Sequence, residues 1–138
     1  MRNILILGST GSIGVSTLDV IGKFNDRFNI FALTADSNIE ILERQIDEFQ
    51  PEIVVVRNEK KALELENKLN GKCQVLRGED GLIEVTKHGN YDILVSSLVG
   101  FAGLIPTIES IKRGKRIALA NKETLVAAGE RLLELRKK

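Results

Sequence analysis

The amino-acid sequence predicts an α/β chain built on a doubly wound, mostly parallel sheet. Three observations carry that prediction. Short runs of Ile, Val and Leu recur along the chain, amphipathic stretches alternate with them, and the apolar runs are continuous rather than alternating. Continuous runs are what strands need when both faces of a sheet are covered. Regular alternation of strand and helix then implies right-handed crossovers, with helices on both faces. At 138 residues the chain suits one domain over 1–138, because two halves would each fall near the lower limit for an independent core.

The strands are expected at Ile4–Leu7, Ile30–Leu33, Ile53–Val56, Val75–Leu76, Ile93–Val95 and Ile117–Leu119. Helices are expected near 12–23, 38–49, 58–69, 79–88, 104–113 and 122–137. Ser37-Asn38-Ile39-Glu40 matches the S-x-x-E capping box, which makes Ser37 the expected cap of the second helix. Ile39, Leu42, Ile46 and Phe49 follow at helical spacing and give that helix one stripe to lay on the sheet. Pro51 ends it, while Gly71, Gly89 and Gly114 close later helices. Glu59–Lys68 reads as a solvated helix face with i,i+4 ion pairs. The stretch 70–82 is the weakest in pattern.

Composition removes several function classes. Twenty basic residues against nineteen acidic ones give a net charge of +1, without the basic excess that nucleic acid or an anionic membrane demands. No apolar run is long enough to span a bilayer, and the N-terminal run is too short for a secretory signal. Cys73, the single cysteine, has no partner for an internal disulfide and reads as a small buried residue. His88 reads as a solvated cation at a helix end. A cytoplasmic setting is expected, with neither nucleic acid nor membrane as partner.

The chemistry starts at the first strand. Ile4–Leu7 runs into Gly8-Ser9-Thr10-Gly11-Ser12-Ile13-Gly14 and then into an amphipathic stretch. A glycine loop between a strand and a helix, in a chain of repeated strand–helix units, points to dinucleotide binding and a Rossmann-like fold. Gly8 is expected to make the tight turn, Gly11 to let the backbone approach a pyrophosphate, and Gly14 to let the helix pack on the strand. Free amides at the helix start then face the phosphates. Ser12 also reads as an N-cap.

Asp36 lies 22 residues beyond Gly14, at the end of the second strand. An acid there either bonds the adenosine ribose hydroxyls, favouring NAD, or supports the start of the helix capped by Ser37. No Lys or Arg occurs between Phe28 and Arg44 to grip a 2′-phosphate. Two more segments fall at strand ends: Ser96-Ser97-Leu98-Val99-Gly100-Phe101-Ala102-Gly103 and Ala120-Asn121-Lys122-Glu123. The second reads either as a ligand contact or as ordinary capping, with Lys122 placed against the helix dipole.

GSTGSIG with STLDV, SLVGFAGLIPTIESIKRGK and IALANKETLV together resemble the N-terminal NADPH-binding domain of the 1-deoxy-D-xylulose 5-phosphate reductoisomerase family. The resemblance covers essentially the whole chain. It implies part of an NADPH-dependent oxidoreductase that rearranges and reduces 1-deoxy-D-xylulose 5-phosphate to 2-C-methyl-D-erythritol 4-phosphate in non-mevalonate isoprenoid biosynthesis. It further implies Mg²⁺ or Mn²⁺ in the full-length enzyme, inhibition by fosmidomycin, and a homodimer. By position, Thr10, Gly11, Ser12 and Ile13 would cradle the cofactor's phosphates. Asn38 would lie near the adenosine, Asn121 and Glu123 at the nicotinamide side, and Lys122 at the sugar-phosphate substrate. The family carries Gly and a basic residue where this chain has Asp36 and Ser37, so those two roles are not transferred. The family's Asp-Ser-Glu metal segment, its catalytic domain and its C-terminal helical domain are not in this sequence, so the chain alone is expected to be inactive. A stand-alone nucleotide-binding module and the cofactor domain of another dehydrogenase, such as an aspartate-semialdehyde type, are the alternatives.

Overall fold

A computed structural model describes residues 1–98 and 103–119. The expected alternation folds as β1 (Arg2–Leu7), α1 (Ser12–Gly22), β2 (Phe28–Ala35), α2 (Ile39–Phe49), β3 (Ile53–Val56), α3 (Glu59–Leu69), β4 (Gln74–Arg77), α4 (Gly78–His88), β5 (Ile93–Ser96), α5 (Leu104–Lys112) and β6 (Arg116–Leu119). The helix expected over 122–137 lies outside the described residues. All strand pairings are parallel, in the order β4-β3-β2-β1-β5-β6.

The central strand explains why its apolar run is unbroken. Ile4 and Ile6 of β1 pack with Leu18 of α1, Leu42 of α2 and Leu65 of α3 on one face. Leu5 and Leu7 point the other way, into Phe31, Val55, Leu94 and the α4 residues Leu82 and Val85. All four β1 side chains are at most 2% exposed, and each contributes about 1.5–3 kcal/mol by leaving water. The chain steps from β1 to β4 in one direction. Helix α4 then crosses back to set β5 beside β1. That reversal opens a crevice beyond the carboxyl ends of β1 and β5, where open α/β sheets take their ligands.

Several local expectations are corrected. The cap of α2 is Asn38, not Ser37: Asn38 Oδ1 accepts the Ile41 N–H at 3.2 Å, while Ser37 offers its carbonyl to Ile39. Asn ranks with Ser as a cap, and starting the helix one residue later puts the amide within reach of the Asn38 oxygen. Asn58 caps α3 in the same way through Lys61 N–H, at 3.0 Å. Within the charged run the ion pair among the described residues is Lys61–Glu64, an i,i+3 rather than an i,i+4 pair. The left-handed positions closing α2 and α3 belong to Gln50 and Asn70, each at φ 50°, with Gly71 following Asn70. Gly89 is extended at φ −68°. It is glycine for space, since a Cβ there would overlap the Val85 carbonyl and stand 2.8 Å from Phe31 Cε2. The weak pattern of 70–82 reflects β4's place at the sheet edge, where its side chains are only half-buried or exposed.

Tyr91 joins α4 to α5. Its buried hydroxyl donates to the Thr86 carbonyl and, having one proton, accepts from Ser110 Oγ, both at 2.7 Å. The Arg113 guanidinium lies 5.3 Å from the ring centroid and donates to the Thr86 and Gly89 carbonyls. Among the described residues no helix is long and apolar enough to cross a membrane.

Cys73 is buried, with Sγ 3.4 Å from the Pro51 carbonyl, and burial pushes its thiol up from 9.0 to about 11. The folded chain keeps this thiol neutral while the unfolded chain ionises it at lower pH. Its contribution to stability is therefore full below about pH 9 and is lost as pH rises to about 11. Denaturant midpoints measured across that window should fall more steeply for the wild-type chain than for Cys73→Ala, and a thiol reagent at pH 8 should label the native chain only slowly.

Candidate functional site

The turn out of β1 is made by Gly8 at φ 75°, a left-handed conformation that costs glycine little. Its N–H donates to the Thr34 carbonyl at 3.1 Å and to Thr34 Oγ1 at 3.0 Å, and the Ser9 N–H donates to the same carbonyl at 2.9 Å. Helix α1 then comes back very close to the turn. A Cβ on Gly14 would overlap the Gly8 carbonyl oxygen and stand 2.7 Å from Ser9 Cα. Around Gly11 the reverse holds: among the described residues nothing lies within 4 Å of where a Cβ would stand. Gly8 and Gly14 therefore serve turn and packing as their spacing predicts, and the backbone at Gly11 faces open space.

Ser12 is not an N-cap. Gly11 occupies that position, Ser12 is the first helical residue, and no side chain caps α1. The first hydrogen bond of the helix runs from Val15 N–H to the Gly11 carbonyl at 2.9 Å. The amides of Ser12, Ile13 and Gly14 precede it, at the positive end of the helix dipole. Thr10 is half-buried in the loop beside the exposed Gly11 and Ser12. The four positions singled out in the loop are thus contiguous on one lip of the sheet.

Three residues from other elements hold the loop still. Thr34 of β2 takes its amides as described. Gln45 of α2 donates from Nε2 to the Ser9 carbonyl at 2.8 Å, and its Oε1 is buried without a partner. Ser97 beyond β5 lies with its hydroxyl 2.7 Å from the Leu7 carbonyl and 2.8 Å from that of Gly8. Sequence reasoning missed Gln45. Its signal was a polar side chain on the inward face of an otherwise apolar helix stripe.

At the neighbouring strand end, β2 stops at Ala35 and the exposed Asp36 follows. With the cap at Asn38, Asp36 lies two residues before the cap and outside the first helical turn, whose acid is Glu40. Asn38 is exposed at the same lip with its Oδ1 engaged as the cap. Asn121, Lys122 and Glu123 lie outside the described residues, as do 99–102. Strand β6 runs parallel to β5 with Leu119 opposite Ser96, so its carboxyl end is level with that of β5. His88 ends α4 and is exposed. Among the described residues no three His, Cys, Asp or Glu side chains gather to hold a metal. A hollow lined by Ile21, Phe28, Asn29, Glu48 and Phe49 sits at the opposite, amino end of the sheet.

A model of the 1-deoxy-D-xylulose 5-phosphate reductoisomerase family matches residues 4–129. The enzyme of that name from Thermoanaerobacter pseudethanolicus is 50% identical over 138 residues, which is 100% of this chain and 36% of the relative. The chain therefore spans about a third of the length of the curated relatives it matches. A solved 1-deoxy-D-xylulose 5-phosphate reductoisomerase from Zymomonas mobilis, in complex with NADPH, superposes with a TM-score of 0.79 at 36% identity, covering 99% of this chain and 36% of that one. A second solved reductoisomerase, in complex with NADPH, fosmidomycin and magnesium, gives 0.81 at 37% identity, covering 99% and 34%. A putative homoserine dehydrogenase from Archaeoglobus fulgidus, at 22% identity and a TM-score of 0.50, shares the fold.

The glycine geometry separates two substitutions. Gly14→Ala must push backbone against backbone and should cost about 1–3 kcal/mol, as overpacked sites do, lowering the thermal midpoint by several degrees. Gly11→Ala, with open space and φ −73°, should change stability by no more than about 0.5 kcal/mol. Thermal unfolding of the two variants beside the wild type checks both.

Proposed function

Because the chain belongs to the 1-deoxy-D-xylulose 5-phosphate reductoisomerase family, we propose that residues 1–138 form its NADPH-binding domain. The observation that carries this reading is the start of α1: uncapped, open at Gly11, and seated by Gly14 on the turn from β1. These residues fit a dinucleotide. A pyrophosphate needs amide donors, positive potential and room for its oxygens against the backbone, and all three coincide there.

Thr10, Gly11, Ser12 and Ile13 hold the pyrophosphate, and Asn38 lies beside the adenosine half. Asn121 and Glu123 contact the nicotinamide side and Lys122 the sugar phosphate; these three assignments rest on the family pattern. When bound, NADPH supplies a hydride. The chain's own part is to bind and orient. The dipole of α1 stabilises the phosphate charge, and Thr34, Gln45 and Ser97 fix the loop so that little ordering is left to binding.

The whole enzyme, in this proposal, rearranges and reduces 1-deoxy-D-xylulose 5-phosphate to 2-C-methyl-D-erythritol 4-phosphate, as a cytoplasmic homodimer. Mg²⁺ or Mn²⁺ serves that enzyme, and among the described residues no group of His, Cys, Asp or Glu gathers to hold it.

Calorimetric titration at matched salt should find NADPH bound more tightly than NADH. Gly11→Ala should weaken both about equally, since the pyrophosphate is common to them. Heat from neither nucleotide would overturn the reading. In the full-length enzyme, Lys122→Ala should lower kcat while leaving NADPH affinity nearly unchanged; an unaltered kcat would remove Lys122 from the substrate site.

A further inference from the structure

The segment after β2, where an adenosine ribose reaches the sheet in folds of this kind, carries no cation. Residues 29–43 contain neither Lys nor Arg, and Asp36 adds a negative charge. A 2′-phosphate placed there would meet an acid with nothing from the same connection to offset it. The tertiary structure brings a cation from elsewhere.

Arg57 is the first residue past β3, the strand beside β2. Its N–H donates to the Ala35 carbonyl at 3.0 Å, and the Asn58 N–H donates to the Asp36 carbonyl at 2.9 Å. Arg57 is thus hydrogen-bonded to the end of β2 and stands one strand spacing, about 4.8 Å, from it. Arg77 ends β4, opposite Val56 and a further strand away.

The Arg57 side chain also has unused capacity. Its Nε is buried without a hydrogen-bond partner. Its Nη2 pairs with Glu79 at the start of α4. With side-chain exposures of 34% and 59%, that pair lies in water and resists exchange by no more than about 1 kcal/mol. A phosphate dianion offers the guanidinium fork a stronger, bidentate partner.

We infer that Arg57 selects NADPH over NADH by gripping the 2′-phosphate of the adenosine ribose across the end of β2. This rests on the proposed dinucleotide site and adds to it a residue from a different strand–helix unit. Asp36, which would favour free ribose hydroxyls in NAD, lies one strand spacing from Arg57, whose guanidinium the phosphate takes over from Glu79.

The test is titration calorimetry of the full 138-residue chain, wild type and Arg57→Gln, with NADPH and NADH at matched ionic strength. Arg57→Gln should weaken NADPH about ten- to a hundredfold, the worth of one or two charge-assisted hydrogen bonds. NADH should change by less than about twofold, on the scale of a neutral surface substitution. Adenosine 2′,5′-bisphosphate against adenosine 5′-monophosphate should show the same selective loss without the nicotinamide half. If both nucleotides bind and the NADPH-to-NADH ratio is the same in the variant, Arg57 has no such role while the dinucleotide site stands. If the wild type binds neither, the site reading falls and this inference falls with it.

Discussion

Helix α1 lies so close to the end of β1 that no side chain fits between Gly14 and the Gly8 carbonyl, and the rest of the candidate site depends on that approach. It aims the first amides of the helix past the end of the strand instead of burying them in the sheet. Among the described residues it leaves nothing within 4 Å of where a Cβ on Gly11 would stand. The polar groups turned inward are met by partners: Thr34 takes the turn amides, Gln45 reaches the Ser9 carbonyl, and the Ser97 hydroxyl lies against Leu7 and Gly8. These come from three different elements, so the loop stays fixed only while β2, α2 and the end of β5 hold their places. A buried polar group left without such a partner costs about 1–3 kcal/mol. The loop's own inward groups find these partners, while Gln45 Oε1 is left without one among the described residues.

The sheet supplies that constancy. With β1 at its centre and cores on both faces, a shift of one residue in register would turn every β1 side chain toward the opposite core. Parallel pairing also sets all strand ends level, so β1, β2, β3 and β5 bring their following residues to one edge. The candidate site lies at that edge, where the reversal of strand order between β1 and β5 keeps crossover helices out of the gap.

Charge at this edge follows from neighbours in space. Asp36 and Arg57 belong to successive strand–helix units and stand on adjoining strand ends because β2 and β3 end together. Glu79 already pairs with Arg57, so Asp36 and Arg57 give the lip no net positive potential to draw a distant anion. A phosphate set between them would be read at short range, through hydrogen-bond geometry. No Lys or Arg lies between Phe28 and Arg44, and Arg57 supplies a cation to the same lip from the adjoining strand.

Much of this was legible in the residues alone. Every described strand and helix was located to within about two residues, since an apolar run covered on both faces and an amphipathic helix stripe are local signals. The turn at Gly8 and the packing at Gly14 followed from spacing, because a strand–turn–helix unit closes over a fixed number of residues. What failed locally was the choice between adjacent polar residues, Ser37 or Asn38 and Gly11 or Ser12, where a one-residue shift of the helix start decides which oxygen reaches an amide. The bracing by Gln45 and the placing of Arg57 on the strand end beside Asp36 were out of reach for a different reason. They join residues 36 and 21 positions apart, and strand order and register alone decide which distant side chains share an edge. Sequence by itself determined the elements and the loop, through interactions within a few residues. Only the tertiary structure decided what steadies the loop and which charges share the edge of the sheet, because those contacts exist only once parallel strands are laid side by side.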